Sequence, residues 1–221
     1  MIERFHNRAH AGRLLAQELS AYANRPDVVV LALPSGGVPV AREIAASLSA
    51  PLDVFLVRKL GVPGYAELAL GAIATGGVEI TNPDVIEEFH LSRKDIESIV
   101  SAEKREMQRR EAIFRGDRLV PDLRGRTVIL VDDGIATGST MRAAMEGVKR
   151  LGAARIVIAA GVAPLSTCLL LRSEADDVVC VLTPRELRAV GLFYDHFPQL
   201  SDDDVCSLLD EARQTGASST V

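Results

Sequence analysis

Residues 127–140 read TVILVDDGIATGST, and this stretch decides the fold. Its first part, 128–131, is apolar and rich in β-branched residues, which predicts a buried strand. Two adjacent carboxylates, Asp132 and Asp133, and a loop of small residues follow, and a helical pattern then occupies 140–151. A buried apolar strand that turns through a small-residue loop into a helix is typical of a parallel sheet covered by helices.

Strand and helix alternate through the rest of the chain. Short apolar runs predict further strands, at 28–33, 52–57, 156–162 and 177–182. Amphipathic periodicity predicts helices around them, at 8–22, 38–48, 164–172 and 202–213. Aromatic residues make up 4% of the chain and Trp is absent, so the core must consist mainly of Val, Leu, Ile and Ala. These features predict an α/β fold, with a doubly wound, mostly parallel sheet flanked by helices.

One region interrupts this alternation, at about 60–120. Its first part, 60–77, is glycine-rich and predicts a flexible loop. Strand-like pieces at 69–75 and 77–81 are expected to form a hairpin. The following stretch, 82–114, is highly charged and predicts one long helix, so the region is expected to be a flexible loop plus a helical insertion.

The overall composition excludes several classes of protein. The net charge is −5 and no basic stripe is present, which argues against a nucleic-acid partner. No apolar run reaches membrane-spanning length and the N-terminus lacks a signal-peptide pattern, so we expect a cytoplasmic protein without a membrane partner. We expect one domain over 1–214 and a disordered tail over 215–221.

The sequence predicts no metal site formed by the protein alone. Cys168, Cys180 and Cys206 lie far apart along the chain, and we expect them to be reduced and partly buried. His6 and His10 have the spacing of a metal-binding pair on a helix, but neither a third ligand nor an intervening catalytic glutamate accompanies them.

The loop after the decisive strand has the composition of a phosphate-binding loop. Small residues let backbone amides surround an anion at a helix N-terminus, where the helix dipole also favours negative charge. The hydroxyls of Thr137, Ser139 and Thr140 add donors, and the ionised carboxylates of Asp132 and Asp133 suit two vicinal sugar hydroxyls. The lysine of a Walker A loop is missing, and the acids precede the glycines, unlike in a dinucleotide fingerprint. A plain strand-to-helix turn would need one capping hydroxyl and not three.

Residues 128–140 resemble the motif with which type I phosphoribosyltransferases bind 5-phosphoribosyl 1-pyrophosphate (PRPP). The resemblance covers 28–182 and implies the type I phosphoribosyltransferase fold. It also implies that Asp132 and Asp133 bind the ribose hydroxyls. The 5-phosphate would then lie against the loop that follows, which consists of Ile135, Ala136, Thr137, Gly138, Ser139 and Thr140.

Two further segments are similar to parts of the same family. Ser35, Gly36 and Gly37 follow the first strand and resemble the family's pyrophosphate loop, although a plain turn is the alternative. Arg58 and Lys59 end the next strand, where the family places cations near the pyrophosphate. The alternative for these two residues is that they are solvated surface charges.

A small C-terminal hood is expected over about 183–200, because family members recognise the acceptor there. Phe193 and Tyr194 are the candidate residues, since paired aromatic rings can stack on a planar base. The alternative is that these rings anchor the hood to the core.

The resemblance implies transfer of the 5-phosphoribosyl group from PRPP to a nucleobase-like acceptor, with release of pyrophosphate, as part of nucleotide metabolism. Asp132, Asp133 and Lys59 are the candidate catalytic residues, and Mg²⁺ is expected to bind mainly through PRPP. The expected partners are PRPP, a small-molecule acceptor and, from the resemblance alone, a second copy in a homodimer. The alternative is a PRPP-binding regulatory or sensor protein with little catalysis, a type that the family also contains.

Overall fold

The computed structural model describes residues 2–217, with the backbone alone at residues 66, 67 and 215–217. Within that part of the chain the strands are β1 (Val28–Ala32), β2 (Leu52–Val54), β3 (Val57–Val62), β4 (Tyr65–Ala74), β5 (Val78–Thr81), β6 (Thr127–Gly134), β7 (Arg155–Val162) and β8 (Asp177–Leu182). The α-helices are α1 (Arg8–Glu18), α2 (Gly37–Leu48), α3 (Pro83–Glu88), α4 (Arg93–Arg115), α5 (Ser139–Arg150), α6 (Leu165–Arg172) and α7 (Asp202–Ala217).

Five of these strands form the central sheet. Their order is β2-β1-β6-β7-β8, and every neighbouring pair is parallel. Parallel neighbours need crossover connections, and α2, α5 and α6 provide three of them. Helices pack on both faces of the sheet, which confirms the predicted α/β fold with a doubly wound parallel sheet.

The first strand shows why its sequence is apolar without interruption. Val28, Val30 and Ala32 belong to the core layer that α1, α2, α4 and α7 cover, whereas Val29 and Leu31 belong to the layer that α5 and α6 cover. Because successive side chains of a strand point to opposite faces, a strand buried on both faces needs an apolar residue at every position.

A second sheet, β3-β4-β5, is antiparallel and lies in the region predicted to be irregular. The β4–β5 pairing confirms the predicted hairpin. The flexible loop predicted over 60–77 is wrong, because β3 and β4 pair as a hairpin that packs Leu60, Leu70 and Ile73 into the core. The sequence pattern concealed β3 because β2 ends early, at Val54, and the next apolar residues already lead into the new strand.

The helical insertion consists of two helices and not of the single helix predicted over 82–114. His90 has a left-handed φ of 48°, which ends the helical path after α3. A capping box then starts α4: the Ser92 side chain accepts from the Asp95 amide, and the Asp95 carboxylate accepts from the Ser92 amide. A capping box marks a new helix start, so the charged stretch is divided there.

The last helix, α7, continues to Ala217. The disordered tail predicted from residue 215 is therefore wrong for 215–217, and 218–221 lie outside the described residues. Small polar residues lower helix propensity, but no proline is present in 214–217 to stop the helix. No helix among the described residues is both long and apolar enough to cross a membrane.

Candidate functional site

The end of β6 and the start of α5 form a crevice at the carboxyl edge of the central sheet. Its volume is about 220 Å³, and it is lined by Asp132 and by residues 134–141. Open α/β sheets usually bind ligands outside the carboxyl ends of their strands. The structure thus brings together every residue predicted to bind ribose or phosphate from this motif except Asp133.

Buried contacts on two sides hold the phosphate loop, residues 135–140, in place. Ile135 is buried, and its amide donates to the Val162 carbonyl at 2.9 Å. The hydroxyl of Thr167, on α6, donates to the Ala136 carbonyl at 2.8 Å. Gly138 has a φ of 83°, and a Cβ there would lie 3.2 Å from Thr167 Cγ2, so this position requires glycine. The loop conformation is therefore fixed by the protein itself.

The polar groups of the phosphate loop suit an anion. The hydroxyls of Thr137 and Ser139 are 3.2 Å apart, and both residues are exposed to the crevice side. The first amides of α5 have no acceptor within the helix, and the helix dipole places partial positive charge at the same end. A phosphate group is the ligand that these donors match best.

The carboxyl group of Asp132 is ionisable and lines the crevice. Burial raises the pKa of its carboxyl well above the ordinary value, and the charge of Asp133 raises that pKa further. Its Oδ1 accepts from the Asp133 amide at 2.8 Å, which orients the carboxyl group. Ionising this group in the crevice costs free energy, and a ligand that donates hydroxyl hydrogen bonds would offset that cost.

We expect Asp132→Asn to raise thermal stability at neutral pH. A folded-state pKa above the unfolded value means that folding disfavours the ionised form, so the cost is present at neutral pH and fades as the pH falls through the ordinary aspartate range. Asparagine keeps the Oδ1 acceptor but carries no charge. A gain of about 1 kcal/mol corresponds to a rise in Tm of roughly 2–4 °C for a chain of this size.

Calorimetric scans at pH 7.5 and near pH 4 would measure this effect. Asp122→Asn is the control, because the Arg124 side chain holds the pKa of that exposed carboxyl down at about 2, and this variant should show no gain. A gain for Asp132→Asn that is equally large at both pH values would contradict the electrostatic explanation.

Asp133 points away from the phosphate loop and forms a buried ion pair with Arg8. Its Oδ2 lies 2.7 Å from the Arg8 Nε, and the two side chains are 11% and 10% exposed. The Arg8 guanidinium also lies 3.7 Å over the Phe197 ring and donates to the Pro198 carbonyl at 2.8 Å. The Asp133 carboxylate thus has a partner inside the protein, and its predicted contact with a ribose hydroxyl stays a prediction.

The predicted pyrophosphate loop lies directly against the end of β6. Its first peptide bond, Pro34–Ser35, is cis. A Cβ on Gly36 would lie 2.1 Å from Asp133 Oδ2, and a Cβ on Gly37 would lie 2.5 Å from the Val131 carbonyl oxygen. The two glycines therefore allow this backbone to approach the strand that carries the carboxylates. Both loops therefore lie at the same edge of the central sheet, where the neighbouring parallel strands β1 and β6 end.

A cavity of about 360 Å³ opens beside the Arg8–Asp133 pair. Ser35 and Gly36 line it on one side, and residues 197–200 of the hood segment line it on the other. This cavity adjoins the predicted pyrophosphate loop and has room for a further small group.

The two predicted cations, Arg58 and Lys59, project from opposite faces of β3. The Arg58 guanidinium lies 2.6 Å from the Glu103 carboxylate of α4, so it attaches the helical insertion to the second sheet. Lys59 is exposed, and no carboxylate among the described side chains lies within ion-pair distance of it. A role at the pyrophosphate stays a prediction for both residues. Of the two, only Arg58 forms an ion pair with a described side chain, so Lys59 is more available to contact a ligand.

Tyr194 anchors the hood segment to the core. It is 2% exposed, its hydroxyl donates to the Asp133 carbonyl at 2.6 Å, and its ring centroid lies 5.0 Å from that of Phe5. The prediction that Tyr194 stacks on a base is therefore wrong, and the alternative of an anchoring ring is confirmed for this residue. Phe193 is half-buried, and its role at an acceptor stays a prediction.

Sequence reasoning missed Arg8, Thr167 and Phe197 as parts of this site. A signal for Arg8 was present, because it shares a helix face with Ala11 and Leu15 at spacings of three and seven, and both are buried. A charged residue on the apolar face of a helix requires a buried partner. Nothing in the local pattern singled out Thr167 or Phe197.

The chain belongs to the phosphoribosyl transferase family. The family's sequence model, described as a phosphoribosyl transferase domain, matches residues 1–192, a span that contains both loops and the Arg8–Asp133 pair. The fold is accordingly that of the type I phosphoribosyltransferases.

Several relatives resemble most of the chain. Two proteins of Mycobacterium tuberculosis, provisionally named as phosphoribosyl transferases, are 46% identical over 210 residues, which covers 95% of this chain and 47% of each relative. The chain therefore spans about half the length of the curated relatives it matches. The crystal structure of TT1426 from Thermus thermophilus is 39% identical, with a TM-score of 0.83 over 94% of this chain and 98% of that one.

Proposed function

We propose that the chain transfers the 5-phosphoribosyl group of PRPP to a nucleobase-like acceptor and releases pyrophosphate. The observation that carries this proposal is the placement of Asp132 and the phosphate loop around one crevice. A carboxylate at one end and phosphate donors at the other match the hydroxyls and the 5-phosphate of one ribose phosphate. Membership of the phosphoribosyl transferase family supports the same reaction class.

In this proposal Asp132 accepts a hydrogen bond from a ribose hydroxyl, and the amides of Ser35, Gly36 and Gly37 face the pyrophosphate. The bond between ribose C1 and the pyrophosphate oxygen breaks, and its electron pair leaves with pyrophosphate. The acceptor nitrogen forms the new bond to C1 and loses its proton to solvent. Amide donors and the Lys59 ammonium group would stabilise the charge that develops on the leaving group.

The side chains of the crevice fit a magnesium ion that arrives with PRPP. Mg²⁺ usually binds through one or two carboxylates together with substrate phosphates and water. Asp132 supplies one carboxylate, and among the side chains that the structure describes no group of three or more His, Cys, Asp or Glu has the geometry of a metal site. Asp132 would hold the ion directly or through water, and the ion would add positive charge near the pyrophosphate. The proposal also includes that the protein is cytoplasmic, forms a homodimer and acts in nucleotide metabolism. Family membership supports these three points.

The test is to incubate the full chain with PRPP, Mg²⁺ and a panel of purine and pyrimidine bases while pyrophosphate is measured. We expect release that depends on one class of base, and a fall of about a hundredfold in kcat/KM for Asp132→Asn, with no change for Asp122→Asn. Tight PRPP binding without release with any base would overturn the transferase proposal and favour a PRPP sensor.

A further inference from the structure

A separate cavity lies at the amino-terminal edge of the central sheet, at the end opposite the phosphate loop. Its volume is about 190 Å³, and three arginines line it: Arg118, Arg126 and Arg213. We call it the arginine cavity. Pro51, Leu52 and Leu119 form its apolar wall.

Backbone carbonyls hold the three guanidinium groups in place. Arg118 donates through Nε to the Arg115 carbonyl at 2.8 Å and through Nη2 to the Phe114 carbonyl at 3.0 Å. Arg213 donates to the same Phe114 carbonyl at 3.3 Å. Arg126 donates to the carbonyls of Pro26, Asp27 and Val28, at 3.0, 3.4 and 3.2 Å. Carbonyl contacts orient these donors without neutralising their charge, so the arginines are positioned before a ligand binds.

The acidic groups near the cavity already have partners. Asp53, which also lines the cavity, lies 3.0 Å from another guanidinium, on α4. Asp210 lies 2.6 Å from Arg213, with its own side chain 64% exposed. Within the described part of the chain, no carboxylate lies within ion-pair distance of Arg118 or Arg126. The arginine cavity therefore keeps an excess of positive charge in a chain whose net charge is −5.

The arginines also destabilise one another. Burial lowers the pKa of Arg118 and the charge of Arg213 lowers it further, while the charges of Asp53 and Asp210 offset part of this shift. Gathering like charges costs free energy, and a bound anion reduces that cost.

We propose that the arginine cavity binds a phosphate monoester that carries a small apolar group. The guanidinium fork matches phosphate oxygens, which accounts for the charged half of the ligand. Leu119 is 89% exposed, and the apolar group would cover it. The volume of about 190 Å³ is smaller than the roughly 300 Å³ of sites for drug-sized ligands, so the ligand is small. The site is remote from the PRPP crevice, and this inference does not depend on the proposed function.

Phenyl phosphate is a suitable probe, and NMR amide shifts can report the two sites separately. We expect millimolar phenyl phosphate to shift the amides of Leu52, Leu119 and Arg126. The variant Arg118→Gln with Arg213→Gln should weaken this response about tenfold or more, since it removes two charged donors. Any shifts at the phosphate loop, residues 135–140, should be the same in this variant as in the unmodified protein.

The matched control is Arg93→Gln with Arg124→Gln, which removes the same charge from side chains that are 93% and 80% exposed. It should leave the cavity response unchanged. The proposal is overturned if phenyl phosphate leaves the cavity amides unmoved, or if both double variants respond alike. If phenyl phosphate shifted the cavity amides but not the amides of the phosphate loop, the result would count against the proposed function and not against the arginine cavity.

Discussion

Arg8→Ala should destabilise the protein by about 3–5 kcal/mol, because it leaves the Asp133 carboxylate buried without its partner. For a chain of this size that loss corresponds to a fall in Tm of roughly 6–20 °C. The variant also removes the guanidinium from the Phe197 ring and from the Pro198 carbonyl, so the hood segment should loosen as well. Calorimetry or urea unfolding at neutral pH would measure the loss.

Arg13→Ala on the same helix is the matched control. Arg13 pairs with Glu43 at 3.4 Å, but its side chain is 58% exposed. Exposed pairs contribute about 0–1 kcal/mol, so this variant should change stability little. If the two variants lost the same stability, the buried ion pair would not hold the site together.

Gly36→Ala should have the next largest effect and lower the free energy of unfolding by about 1–3 kcal/mol, because the added methyl group overpacks the loop. The backbone of Gly36 has φ −61° and ψ −34°, which any residue adopts, so the loss arises from side-chain contact alone. A Cβ there would lie 2.1 Å from Asp133 Oδ2, and the ion pair with Arg8 prevents that carboxylate from moving aside. Unfolding measurements give the loss, and PRPP titration should show a matching fall in affinity.

A double-mutant cycle separates this contact from general disturbance of the loop. Once Arg8→Ala frees the carboxylate, Gly36→Ala should cost less than in the unmodified protein, which is the behaviour of coupled neighbours. Gly61→Ala is the control, because a Cβ there meets no atom within 4 Å. An equal cost of Gly36→Ala in both backgrounds would rule out the contact as the cause.

The sequence alone predicted the central sheet and the position of the loop between β6 and α5 correctly, because both depend on local patterns. An apolar run followed by small residues and a helix indicates the end of β6. The same pattern predicts the end of the first strand at Leu33, one residue beyond the observed end of β1 at Ala32. Parallel pairing of β1 with β6 then places the Ser35–Gly37 loop beside Asp132 without further information.

What the sequence could not predict depends on contacts between distant residues. Arg8 and Asp133 are separated by 125 positions, and no local pattern pairs them. Tyr194 looked suited to stacking because its neighbour is also aromatic, but the N-terminal segment pairs with the hood and buries that ring against Phe5. The β3–β4 hairpin was missed because glycines in its strands read as loop residues, although Leu60 is fully buried.

The central claim is that Asp132 and the phosphate loop bind the ribose 5-phosphate of PRPP. Calorimetric titration of PRPP with Mg²⁺ tests it directly, with the unmodified chain, Asp132→Asn, and Thr137→Val combined with Ser139→Ala. We predict that each variant weakens binding about tenfold or more, while Asp122→Asn binds normally. Asp132→Asn removes the charge that strengthens the hydrogen bond to ribose, and the double variant removes hydrogen bonds to the charged phosphate. Unchanged PRPP affinity in both site variants, with their folding intact, would contradict the claim.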